Sequence, residues 1–472
     1  MYDLSRRVAA HLIRRGLRGK KIFVLGERSA LTPVVYLGAA RAGGCYIPMD
    51  ATLNPERIRQ IMDFVPEAPV IVFRSLTGIL DGIGYEGERL IAEDLLETEC
   101  DEDVEAAESG IIATQPLYII FTSGSTGKPK GVITSHASLM NYIEAVNEVL
   151  DLNRDDVLGS QSPLDYIASI REIYLPLVTG ASAVIIPKHQ FSMMPELLKT
   201  LNEQRITVLC WSASGMELCS KLHLFEEGKP EHVRKVLFSG SVLPGRVLAE
   251  WQAHLPEAEF INQYGPTETT ASCTYYVVRE KADADTVLPI GRPYRNYGIV
   301  LLNEDGTETK PGETGEICVS GIGVTLGYYG NPEMTAKCYI QNPLNDKYPE
   351  ILYKTGDYGR YNEKGELLFC GRKDRLIKLM GHRVELEEIE QAAGKAPGVE
   401  ACACVFDETT ETLCLFYSGE AETKQTVLFL RSALPAFMVP RKVKKMDALP
   451  TLPNGKTDYK TIRQWVTHPG SV

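Results

Sequence analysis

The sequence predicts an α/β protein: a large N-terminal domain of parallel α/β layers with a β-rich subdomain, then a small, mobile α+β C-terminal domain. Three observations carry that expectation. Short apolar runs alternate with helical periods through the first part of the chain, as in parallel layer architectures. Several of those runs empty into glycine, serine or threonine. After about Tyr297 the runs shorten and turn signals crowd between them, the texture of a β-rich segment.

In chain order, KIFVLGE (Lys21–Glu27) reads as a strand and TPVVYLGAARAG (Thr32–Gly43) as a helix. CYIPMD follows as a strand end, PERIRQIMDFV (Pro55–Val65) as a helix and PVIVF as the next strand. Tyr85 to Glu108 is acidic and lacks an apolar period, so it is expected to be a surface excursion. More strands are expected at AVIIP near Val184, at Ile206–Trp211, at Lys235–Ser241 and at Glu259–Gly265. Ligands collect at the carboxyl ends of parallel strands, so these are the places to look for a site. Beyond Tyr297, NEDG, KPGETG and NEKG mark turns, and GRKDRLIKLMGHRVELEEIE leads into a helix from near Leu386. The domains are expected to be 1–373 and 374–472.

With 472 residues, 44% of them hydrophobic and 24% charged, the chain is long enough for two domains with a large core. A formal charge of -12 with no basic stripe argues against a nucleic-acid partner, and RKVKK at Arg441–Lys445 reads as solvated surface. Eleven cysteines occur without a C-x-x-C pair, and Cys402 with Cys404 is neither a zinc nor a thioredoxin signature. They are expected to be reduced and mostly buried, as in a cytoplasmic protein. The opening MYDLSRRVAAHLIRRG is too amphipathic for a secretory signal, and no run suits membrane insertion.

The chemistry begins at LYIIFTSGSTGKPKGV, Leu117–Val132, an apolar strand that breaks into a loop. Glycine-rich turns expose backbone N–H groups, and the hydroxyls of Thr122, Ser123, Ser125 and Thr126 add donors suited to phosphate oxygens. Gly124 and Gly127 relax the backbone, and Lys128 and Lys130 bring positive charge. The spacing is not a Walker loop, which counted from Gly124 would need glycine at Pro129.

YIIFTSGSTGKPKGV resembles the phosphate-binding loop of the adenylate-forming superfamily, which comprises acyl-CoA synthetases, peptide-synthetase adenylation domains and luciferases. The resemblance continues in order through NQYGPTETT (Asn262–Thr270), YKTGDYGRY (Tyr353–Tyr361), GRKDRLIKLMGHRVELEEIE (Gly371–Glu390) and LPNGKTDYK (Leu452–Lys460). It implies ATP and Mg²⁺ as cofactors and a site spread over nearly the whole chain. By resemblance, Gly240, Ser241, Asn262, Gln263, Tyr264 and Gly265 join the phosphate loop in holding the nucleotide, with Gly240 letting backbone approach the adenine. Thr267 would hydrogen-bond the α-phosphate and the substrate carboxylate, and Glu268 would ligate the metal. A single carboxylate suits Mg²⁺, which keeps waters and takes phosphate oxygens. Asp357 resembles the acceptor of the ribose hydroxyls, and Arg372 the arginine that also contacts ribose. Lys456 lies where the superfamily keeps its mobile catalytic lysine, Asp374 where it has its hinge, and Gly381 where a pantetheine arm passes during thioester formation.

The acyl pocket carries the departure. In the amino-acid branch a segment ending in F-D-x-S holds an aspartate that pairs with the substrate ammonium. The matching stretch here is SPLDYIASIREIYLPLVTGA, Ser162–Ala181, and gapless alignment puts Tyr166 at the aromatic position and Ile167 at the aspartate. Isoleucine cannot neutralise an ammonium, so an acid without an α-amino group there, such as an aryl acid, is expected. Asp165 lies two residues early. Ala168, Arg171, Cys210, Leu237, Ser239, Gln263, Ala271 and Ser272 complete the expected pocket. Arg171 would meet a carboxylate, phenolate or hydroxyl of the substrate, or else pair with Glu172 or Asp165.

The wording FMVPRKVKKMDALPTLPNGK is similar to the peptide-synthetase and D-alanine–carrier-ligase branch, and the chain length suggests a stand-alone enzyme loading a separate phosphopantetheinylated carrier protein. An acyl-CoA ligase using CoA, an amino-acid ligase of the D-alanine kind, and a non-catalytic nucleotide-binding scaffold are the rivals. Family members usually begin with a further strand and helix, so the N-terminus is expected to be short.

Overall fold

The computed structural model describes residues 1–97, 99, 104–122, 129–372, 376–380, 382–451 and 457–467. Its first sheet joins β1 (Lys21–Gly26), β2 (Cys45–Asp50), β3 (Val70–Val72), β4 (Arg89–Ile91), β5 (Pro116–Thr122) and β6 (Lys130–Ser135) in the order β4-β3-β1-β2-β5-β6. Its pairings are parallel except β5 with β6, an antiparallel hairpin. Nearly every residue of β1 and β2 is buried, which explains their continuous apolar runs: helices cover both faces of such sheets.

The second sheet holds β7 (Val157–Ser160), β8 (Ser182–Ile185), β9 (Val208–Ser212), β10 (Lys235–Ser239), β11 (Glu259–Tyr264), β12 (Thr274–Val278) and β13 (Arg292–Pro293), ordered β13-β12-β11-β10-β9-β7-β8. Strands β7 to β11 pair in parallel, and β12 and β13 add an antiparallel edge. Arg28 ties the two sheets together: its guanidinium donates to the carbonyls of Ser160, Ser162 and Ile186 at 2.9, 2.5 and 2.9 Å. Beyond Tyr297 the expected β-rich region forms from β14 (Tyr297–Leu302), β15 (Gly315–Gly321), β16 (Tyr339–Gln341), β17 (Ile351–Tyr361) and β18 (Leu367–Arg372), all antiparallel neighbours.

Tyr85–Glu108 corrects an expectation. Rather than an excursion, it supplies β4 to the sheet edge, and the helices Ala92–Glu97 and Val104–Ser109 bury Ala92, Leu95, Leu96, Val104 and Ala107. A three-residue strand and two six-residue helices are too short for an apolar period to emerge from their acidic exposed faces.

The C-terminal part has its own apolar cluster, in which Val384, Ile389, Cys404, Leu415 and Leu430 are buried. It is built on the hairpin β19 (Leu376–Leu379) and β20 (His382–Glu385), the helix Leu386–Gly394, and a sheet of β21 (Val399–Asp407), β22 (Thr412–Gly419) and β23 (Lys442–Lys445). The helix begins where Leu386 was expected to start one. The expected boundary between residues 373 and 374, and Asp374 with it, lie outside the described residues. Among the described residues no helix is long and apolar enough to cross a membrane.

Candidate active site

The β5–β6 hairpin presents the phosphate-loop sequence at its tip, with Thr122 and Lys130 in register across its mouth. Ser123, Gly124, Ser125, Thr126 and Gly127 lie outside the described residues, as do Lys128, Gly381 and Lys456. The Thr122 hydroxyl is buried at the end of β5 with no hydrogen-bond partner among the described residues. Lys130 is engaged at 2.9 Å with Glu385.

Beside the hairpin, β9, β10 and β11 end together at Ser212, Ser239 and Tyr264. Gly240 follows with φ +100°, a conformation that needs glycine. The Ser241 hydroxyl meets Ser214 at 3.3 Å. On β11, alternation turns Asn262 and Tyr264 to one face and Gln263 to the other. Asn262 donates to the Pro289 carbonyl at 2.9 Å, and the Tyr264 hydroxyl to Asp357 Oδ2 at 2.5 Å. A side chain on Gly265 would strike the backbone of Ser272 at 2.4 Å, so glycine allows the loop after β11 to fold back on itself. That loop contains Thr267 and Glu268 in a single 3-10 turn and closes through Thr270 and Ala271, both at positive φ. Consecutive left-handed residues other than glycine store backbone strain, a feature concentrated at functional sites.

Glu268 is fully buried, and Tyr328 donates to its Oε1 at 2.7 Å. Asp357, on β17, is also buried, with its backbone N–H bound to Thr355 Oγ1 at 3.0 Å. Register places Asp357 opposite Arg372 on β18, so backbone pairing brings together the two residues expected at the ribose. Two buried carboxylates and the strained turn after β11 are thus linked through Tyr264, which ends β11 and donates to Asp357.

On the far face of β11 lies the expected acyl pocket. Ile167, Cys210, Leu237 and Ala271 fall in one apolar cluster, and Leu237 and Cys210 are direct neighbours across β10 and β9. Arg171, 1% exposed, enters this cluster from the helix Ser169–Thr179. Its Nη1 donates to Gln263 Oε1, and Nη1 and Nη2 approach Ser239 Oγ at 3.4 and 3.3 Å. Ser272 Oγ donates to Gln263 Oε1 at 3.4 Å, and Gln263 Nε2 to the Tyr294 hydroxyl. Tyr166 and Ala168 are half-buried at the mouth.

Neither acidic partner considered for Arg171 hydrogen-bonds to it. Glu172 accepts from Ser160 Oγ at 2.5 Å, Ser162 Oγ at 3.2 Å and the Gln161 N–H at 3.4 Å. Asp165 points to β2, where it accepts from the Asp50 N–H at 3.3 Å; burial and the Asp50 carboxylate push its pKa upward.

The C-terminal part reaches this cleft. Glu385 caps the helix Leu386–Gly394 and Glu388 lies in its first turn, where the helix dipole favours carboxylates. Glu385 meets Lys130, and Glu388 meets Arg57 at 3.2 Å. Arg57 is positioned by the helix Pro55–Met62, capped by Asn54, and also donates to the Thr122 carbonyl at 3.3 Å. The His382 ring stacks on Phe437 and lies 5.9 Å from that of Tyr166. Burial, with Lys188 nearby, holds the His382 pKa down at about 4. Sequence reasoning missed Tyr328, Tyr142, Tyr294, Arg57, Glu385 and Glu388 as site neighbours. Only the acidic start of VELEEIE, just after Gly381, offered a signal.

A family model described as AMP-binding enzyme matches residues 1–329, and one described as AMP-binding enzyme C-terminal domain matches 388–456. The D-alanine–D-alanyl carrier protein ligase of Bacillus thuringiensis (strain Al Hakam) is 32% identical over 461 residues, 94% of this chain and 89% of that protein. Tyrocidine synthase 1 of Brevibacillus parabrevis is 28% identical across 97% of this chain, which spans 42% of that relative's length. The Vibrio cholerae adenylation domain AlmE, solved in complex with glycyl-adenosine-5'-phosphate, shares the fold with a TM-score of 0.84 at 23% identity, over 99% of this chain and 92% of that one. The chain belongs to the AMP-binding enzyme family of the adenylate-forming superfamily.

Proposed function

We propose that this enzyme activates a small carboxylic acid lacking an ordinary α-amino group, an aryl acid being one such class, and transfers it to the phosphopantetheine thiol of a separate carrier protein. The observation that supports the substrate half is Ile167, 5% exposed in the same apolar cluster as Leu164, Ile170 and Leu237, at the position that gapless alignment sets against the ammonium-binding aspartate. An ammonium held there would be buried without a counter-charge. The acceptor half is supported by the carrier-protein ligase relative, similar along nearly its whole length.

In the first half-reaction a carboxylate oxygen of the acid attacks the α-phosphorus of ATP, the bond to the β-phosphate breaks, and pyrophosphate leaves. The hairpin loop between Thr122 and Lys130 holds the departing phosphates, Thr267 orients the α-phosphate and the acid, and Asp357 with Arg372 fixes the ribose. Glu268 would hold a divalent cation: a single buried carboxylate suits Mg²⁺, which takes phosphate and water oxygens for the rest. When bound it would neutralise charge on the departing phosphates. In the second half-reaction the thiol loses its proton and attacks the acyl carbon, and AMP leaves.

A panel of carboxylic acids in an ATP–pyrophosphate exchange assay tests the reading. Aryl or other acids without an α-amino group are expected to support exchange, and common α-amino acids to do so poorly; strong exchange with D-alanine or another α-amino acid would overturn it. Transfer to free CoA as efficient as to a carrier protein would instead favour a CoA ligase.

The Lys130–Glu385 and Arg57–Glu388 pairs link the C-terminal part to the mouth of the phosphate loop. Removing one member of a buried ion pair costs roughly 3–5 kcal/mol, because the other is left uncompensated. The C-terminal part escapes that cost by leaving this arrangement, so Arg57→Ala is expected to slow thioester formation about tenfold or more relative to pyrophosphate exchange. Equal loss in the two half-reactions would show that the pair does not act through this docking.

A further inference from the structure

We infer that the acid activated here carries a second carboxylate, remote from the one that is adenylated, and that Arg171 receives it. The inference rests on the adenylation reading above and narrows its substrate class.

Arg171 has five N–H donors and cannot lose its charge in a protein. Only the Gln263 bond is short; Ser239 Oγ is shared by Nη1 and Nη2 at 3.4 and 3.3 Å, and Nε is buried with no hydrogen-bond partner among the described residues. The Nε–H and the neighbouring Nη2–H lie along one edge of the guanidinium. That edge is the planar fork that takes both oxygens of a carboxylate.

A second observation converges on the same place. Tyr142 is fully buried against Tyr294, the tyrosine bonded to Gln263, and its hydroxyl lies beside the guanidinium and Ser272, making no well-formed hydrogen bond among the described residues. Two neighbouring side chains more than nine-tenths buried therefore each keep a polar atom without a well-formed hydrogen bond among the described residues, and a phenol and an arginine edge would together supply three donors. Leaving such groups unpaired is costly, and a ligand that completes them recovers that cost.

Charge decides which ligand. Among the described residues no carboxylate forms an ion pair with Arg171, since Glu172 is occupied by Ser160, Ser162 and the Gln161 N–H, and Asp165 faces β2. A carboxylate brings the missing negative charge and only acceptors. A phenol is neutral near pH 7 and offers one oxygen, and a distal ammonium would meet a buried positive charge.

The test compares each of several dicarboxylic acids, straight-chain from succinate to adipate and the three benzenedicarboxylates, with its own monoamide in ATP–pyrophosphate exchange. The monoamide keeps size and shape but lacks the distal charge. For the best diacid, kcat/KM is expected to exceed that of its monoamide by roughly 10²–10⁴-fold, as for a site whose buried polar groups an analogue leaves unpaired. Arg171→Met is expected to bring that ratio to about one or below, and Arg171→Lys, which keeps the charge without the fork, to give an intermediate ratio. AMP binding by each variant, followed by thermal shift, checks that the fold persists. Monoamides or simple monoacids exchanging as well as diacids in the unaltered enzyme, or an unchanged ratio in Arg171→Met, would overturn the second carboxylate while leaving adenylation intact. Exchange with no acid of any kind would overturn the adenylation reading itself, and this inference with it.

Discussion

Replacing Glu268 by Gln is expected to lower acid-dependent pyrophosphate exchange by roughly 10²–10³-fold, the loss typical when one preorganised charge-stabilising group is removed from a water-excluded site. The substitution isolates charge from shape. Tyr328 donates to Glu268 Oε1, and a glutamine carbonyl accepts the same bond. The Glu268 backbone carbonyl accepts from Thr325 N–H at 3.0 Å, a contact the side chain does not touch. The thermal midpoint should therefore change little while activity collapses. Raising Mg²⁺ is expected to recover part of the loss, because the weakened site still takes most of its ligands from phosphate and water. Wild-type activity in Glu268→Gln at low Mg²⁺ would remove this carboxylate from the metal role.

Lys456→Ala is the second large effect: adenylation is expected to fall by about 10³-fold, whereas transfer from supplied acyl-adenylate to the thiol acceptor should be retained. Attack on the α-phosphorus brings anions together and builds charge on the equatorial oxygens. A positioned ammonium therefore stabilises the transition state more than the bound substrates. No such charge develops when the thiol displaces AMP. The pairs that carry Glu385 and Glu388 to Lys130 and Arg57 supply a reason for the asymmetry: they bring β20, next to Gly381 in sequence, to the cleft. Equal loss of both half-reactions would contradict a division of labour between two arrangements of the C-terminal part.

Much of the fold was legible because its signals are local. β1, β2 and β10 are built on apolar runs bounded by polar turns, and the helix Leu386–Gly394 begins on a run of glutamates that suits its positive end. The short elements between Tyr85 and Glu108 were not, because their burial comes from packing against the first helix rather than from any period of their own. Within the site, order and spacing of motifs pointed to the residues proposed to hold the nucleotide, but no spacing announced Tyr328 beneath Glu268 or Tyr142 beside Arg171. Those contacts join residues sixty and twenty-nine positions apart through the sheet (268 to 328; 142 to 171).

By itself the sequence pointed to the proposed reaction, through the order of its motifs: a strand running into FTSGSTGKPK, a glutamate just after a strand, Asp357 in KTGD and a lysine near the carboxyl end gain their meaning together, where NGK alone would read as a turn. Its gapless alignment also set Ile167 against the aspartate of the amino-acid branch. Only the tertiary structure decided what Arg171 does with its charge, because that depends on which acids reach it. Asp165 is drawn to Asp50, and Glu172 is saturated by Ser160, Ser162 and the Gln161 backbone, so the guanidinium is left to Gln263 and Ser239 with an edge unfilled. Hydrogen-bond partners in a buried cluster are set by the packing of strands and helices distant in sequence, and a string of residues does not contain that geometry.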